Sequence, residues 1–224
     1  LLNGIHRILG GDFIGALDDI ATSEAFVSCT DDEAYRNRLL INKARALSFY
    51  GLQPNVSTNF FRMAASTLEE ARDFFRRGGD DYMAAATYLN LAFPLIELER
   101  FDEANLALDG AKGIIDRNRD KVRFCQLEAH YYDSRVKLAV KQREPQKARG
   151  FLGEALKIVE RYGLRGRSAF ELNYYETEIL LQEGKTEEAR TTYKKLMDLC
   201  DNSGNLYGLK VAFQHRLNDR ISQP

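Results

Sequence analysis

The stretch YLNLAFPLIELERFDEANLALDGA, residues 88–111, holds two helical phrases separated by a Phe-Asp-Glu break. Its second half carries Ala104, Leu108 and Ala111 at i, i+4 and i+7, one face of an α-helix. The same triplet recurs as Ala16, Ile20 and Ser23; as Ala64, Leu68 and Ala71; as Ala148, Leu152 and Ala155; and as Ala189, Tyr193 and Leu196. The leading alanines lie 48, 40, 44 and 41 residues apart. A period of that size marks an array of repeated supersecondary units, which decides the architecture.

Working outward, a second helical segment precedes each later triplet, over 31–51, 81–99, 119–141 and 168–183. Thr30 with Glu33, and Ser168 with Glu171, fit capping boxes. Gly78-Gly79 and Gly163 sit where helices should stop, and Thr186 suits the N-cap of the last triplet helix. No sustained apolar–polar alternation and no Asn-Gly or Asp-Gly hairpin signal appears. The expectation is an all-α chain of about eleven helices. Five antiparallel pairs form one repeat domain over 1–224, and a final helix near 205–220 carries Leu206, Leu209, Ala212, Phe213 and Leu217. Small residues belong where paired backbones approach, so Ala104 should lie against its preceding helix, with Ala92 as counterpart. Asp102 and Glu103 favour the helix start through the macrodipole. No single pair can bury its apolar face alone, so neighbours share stability along the array.

These phrases resemble the tetratricopeptide repeat family. Leu91, Ala92 and Leu95 match the first helix of its pattern, and Phe101, Ala104, Leu108 and Ala111 the second. The stretch LLINKARAL, 39–47, is similar to another first helix. The resemblance covers essentially the whole chain and implies a right-handed superhelical solenoid. The period exceeds the family's roughly 34 residues, the closing Pro of each repeat is missing, and LQPNVS, 52–57, inserts a loop. Val136 and Thr177 stand where a smaller residue is typical. Long-period variants of this kind are seen in kinesin light chains and in sensor arms of bacterial transcription activators.

Composition narrows the function classes. Hydrophobic residues make up 44% of 224, enough for a substantial core. With 32 basic and 33 acidic residues the net charge is −1, which gives no electrostatic footprint for nucleic acid. No run of 18 apolar residues offers a membrane span. Cys29, Cys125 and Cys200 are isolated and read as buried, reduced thiols, which points to the cytoplasm. No leader pattern opens the sequence, which begins at Leu and reads as a piece of a longer protein. Asn55-Val56-Ser57 matches a glycosylation sequon but reads as a loop and helix start.

No constellation for catalysis is present. His6, His130 and His215 have no second ligand at helical spacing, and H-E-x-x-H, G-x-S-x-G and P-loop patterns are absent. RRGGDD, 76–81, lacks the Lys and hydroxyl of a phosphate loop and reads as a helix stop and start. Arg161, Arg165 and Arg167 read as a solvated turn. The expectation is therefore no enzyme, no cofactor and no metal. Aromatic pairs at Phe60-Phe61, Phe74-Phe75, Tyr131-Tyr132 and Tyr174-Tyr175 place one ring in the core and leave its neighbour for a groove.

The resemblance implies that first helices line a concave face, at positions around each small residue. That gives Ile41 and Arg45; Leu89, Phe93 and Ile96; Asp133 and Lys137; and Tyr174 and Glu178 as candidate contacts. Phe93 is the expected apolar anchor, with Arg45 and Lys137 as a charged rim for a peptide bearing acids. The first functional reading is a non-catalytic scaffold for a protein or peptide partner. The second is a regulatory sensor arm that binds a small effector or signalling peptide, and the third a self-association module.

Overall fold

Three aspartates start three of the helices. In the computed structural model, Asp12, Asp32 and Asp80 each accept a hydrogen bond from the backbone N–H three residues on, at 3.0, 2.8 and 3.1 Å. Each satisfies an amide that the first helical turn leaves without a partner. The structure describes residues 12–53, 55–163 and 167–201, with Arg7, Lys210, Gln214, Arg216, Leu217, Arg220 and Ile221. Among these residues it holds nine α-helices: α1 (Phe13–Val27), α2 (Glu33–Gly51), α3 (Asn59–Gly78), α4 (Asp81–Glu97), α5 (Phe101–Arg117), α6 (Cys125–Lys141), α7 (Pro145–Tyr162), α8 (Arg167–Gln182) and α9 (Thr186–Asp201). No strand occurs among them. The expected helix near 205–220, with Leu206, Leu209, Ala212 and Phe213, lies almost wholly outside the described residues, as do His6, His215 and Arg165.

The chain divides into two compact units, Leu1–Ile114 and Ile115–Pro224. Within the first, α1 packs on α2, α2 on α3 and α3 on α4; within the second, α6 packs on α7, α7 on α8 and α8 on α9. First helices of successive pairs also touch, α2 with α4 and α6 with α8. The leading alanines Ala16, Ala64, Ala104, Ala148 and Ala189 all have 0% exposure. Ile20, Leu68, Leu108, Leu152 and Leu196 are buried beside them, as are Ala71, Ala111 and Ala155. Ser23 and Tyr193, the remaining triplet members, are half-buried, so the triplet face is the packing face of each second helix, with one position less covered in the first and the last.

Three turns repeat the same backbone. Glu99, Arg143 and Gly184 adopt left-handed conformations, with φ of 59°, 58° and 74°. After each, an amide reaches back five residues: Arg100 N to Leu95 O, Glu144 N to Ala139 O and Lys185 N to Leu180 O, all 2.9 Å. This is the Schellman closure, which satisfies carbonyls at the end of the first helix. Five residues after each left-handed residue comes the buried alanine, so turn and triplet share one register. The second repeat departs from it. There the turn expands into the 52–58 loop, with Asn55 at φ 63°.

Several local expectations change. Asp32, not Thr30, caps α2, because its carboxylate stands one residue before the helix; the Thr30 hydroxyl donates to the Val27 carbonyl instead. Ser168 and Thr186 are helical residues rather than the caps before them. The segment expected to be helical from 119 begins as a turn and a short 3₁₀ helix, Val122–Phe124, which buries Phe124 to 1% exposure and leaves Val122 outside. Cys29 is exposed rather than buried, because it follows Val27, the last core residue of α1; Cys125 is half-buried. The side chain of Cys200 lies outside the described residues. Phe61, Phe75 and Tyr131 are core members of their aromatic pairs, while Phe60, Phe74 and Tyr132 are half-buried. Tyr174 and Tyr175 are both buried.

An ion pair braces the second unit. Arg149 of α7 donates two hydrogen bonds to Glu183, just after α8, at 2.5 and 2.6 Å, and Lys185 adds a third cationic contact at 3.0 Å. The Arg149 hydrogen bonds are the chief cause holding the Glu183 carboxyl far below its ordinary 4.5, at about 2. A depressed folded-state value stabilises the fold above the unfolded value and is lost as pH falls toward the folded one. Stability should therefore fall between pH 4.5 and 2, and Glu183→Gln should shrink that fall, as read by urea titrations at stepped pH. An unchanged slope would remove Glu183 as a contributor. The turn makes a second prediction. Gly184 has open space around its Cα, so Gly184→Ala meets only the cost of a left-handed alanine, about 1 kcal/mol. A urea midpoint equal to the parent's would refute it.

Candidate functional site

Most residues expected to line an inner face are packed inside their own unit. In the first unit Leu89 and Ile96 have 0% exposure and Ile41 has 6%. They offer no surface to a ligand, because α4 packs against both α3 and α2. Phe93 is half-buried. Its ring lies 5.8 Å from Phe49 and edge-on at 6.3 Å from Phe61, within a ring cluster that continues from Phe49 to Phe13. It is a packing residue between helices, leaving part of one face open. Arg45 is half-buried on α2.

In the second unit Lys137, Tyr174 and Glu178 are buried, and Asp133 is half-buried. Their helices α6 and α8 run side by side, fastened where Gln182 Nε2 donates to the Val140 carbonyl at 2.8 Å. Tyr174 donates its hydroxyl hydrogen to Glu178 at 3.0 Å, and Arg220 closes on the other carboxylate oxygen of Glu178. A cation at that carboxylate supplies the compensation that a buried charge requires. Glu178 is thus engaged from within the chain.

Among the described residues, an open concavity of about 310 Å³ lies in the first unit. Its floor is α4, with Tyr88 half-buried and Leu91 and Leu95 packed to 2% exposure at i, i+3 and i+7. One wall is α3, with Glu69, Arg72 and Arg76 at the same spacing. The other is α5, with Glu103, Leu106 and Ala107. Leu106 is 70% exposed, an unusual place for a leucine on a helix that has a buried face available. Sequence reasoning overlooked this groove because it followed first helices only.

The groove is held by short-range chemistry. Tyr88 sits against the bare Cα of Gly110, where an added Cβ would come within 3.0 Å of the ring. From the other side the Arg72 guanidinium lies 6.0 Å from the ring centre. Arg72 Nε also donates to Asp73 at 2.9 Å. That hydrogen bond is the main cause raising the Arg72 pKa and lowering that of Asp73. At the opposite end Arg100 grips Glu103 through two bonds, 2.6 and 2.5 Å, which lower the Glu103 pKa. Arg76 is exposed, and its charge, with that of Arg77, adds to the lowering of the Asp73 pKa.

No model of a known protein family matches this chain, and no curated protein or solved structure matches it. Among the described residues, no three His, Cys, Asp or Glu side chains gather as a metal set, and no helix is long and apolar enough to cross a membrane. The placement of Phe93 has a measurable consequence. Phe93→Ala removes ring contacts to Phe49 and Phe61 and should lower folding stability by about 2–3 kcal/mol, visible as a lower urea midpoint. A variant as stable as the parent would mean the ring is free of the packing.

Proposed function

We infer that this chain is a tetratricopeptide-like helical repeat that acts as a non-catalytic scaffold for a protein or peptide segment. One observation carries the reading: the repeats spend their triplet faces on one another and leave open a preformed, mixed apolar and charged groove on rigid helices. A concavity of about 310 Å³ with a few placed polar groups suits recognition of a short segment. The arginines on its wall and the tyrosine on its floor are residue types that dominate binding surfaces. The reading includes no cofactor.

Panning the purified chain against a phage-displayed library of short random peptides tests this. The expected result is enrichment of a shared motif whose synthetic form binds with a dissociation constant on the order of micromolar, about 8 kcal/mol. No enrichment over an unrelated helical protein would overturn the scaffold reading.

A further inference from the structure

We draw no further inference here: the strongest candidate, the exposed apolar face of α1 formed by Ile14, Ala21 and Ala25, carries nothing because nothing in the structure shows what covers it.

Discussion

The described fold depends on helix backbones coming so close that the side chain between them can be no larger than a methyl group. All five leading alanines are fully excluded from solvent, at the same point of each second helix. An interior packed to crystal-like density has no slack for a larger group there. Once that approach is fixed, the rest of the unit follows. The left-handed turn five residues earlier sets the angle at which the second helix leaves the first. The apolar residues four positions after the alanine, Ile20, Leu68, Leu108 and Leu152, are then buried on the same face. Two of the three such turns use Glu99 and Arg143 rather than Gly, a conformation costly for residues with a Cβ. The chain tolerates that cost because the surrounding packing determines the turn.

Much of this was legible in the sequence because helical periodicity and small residues report a local constraint. The triplets, Gly79 and Gly163 as helix ends, and the odd loop in the second repeat were all readable from spacing. The failures share a cause as well. Thr30 fits the capping pattern, yet Asp32 makes the bond, because two acceptors two residues apart compete and the one adjoining the helix wins. Leu89, Phe93 and Ile96 looked available because one helical stripe seemed sufficient for packing. Here α4 meets both the preceding second helix, α3, and the earlier first helix, α2, so its apolar residues are consumed on more than one side. Period alone identifies which face meets a partner, and it is silent on how many partners there are.

The same logic explains why charged positions moved inward. Lys137 was read as part of a charged rim and Glu178 as a concave-face contact, yet both are buried. Burial of Glu178 is compensated locally, by the Tyr174 hydroxyl and by Arg220 from far along the sequence. A contact across 42 residues leaves no trace in any short window, so the compensating group could not be foreseen from the motif.

In a repeat protein the fold fixes only a few positions per repeat, and those positions are nearly identical in kind along this chain. The others are free to differ, and difference there costs little stability because such residues face solvent. An apolar residue at a solvent position gains nothing from folding, since it stays in water in both states. Leu106 is therefore not explained by the array that contains it. Gly110 is not explained by a turn either, since it lies inside α5, where glycine weakens a helix by up to about 1 kcal/mol relative to alanine. Its one visible structural effect is to seat the Tyr88 ring beneath Arg72. Gly110 and Leu106, four residues apart on α5, are thus two positions that the helix packing of this chain does not by itself account for.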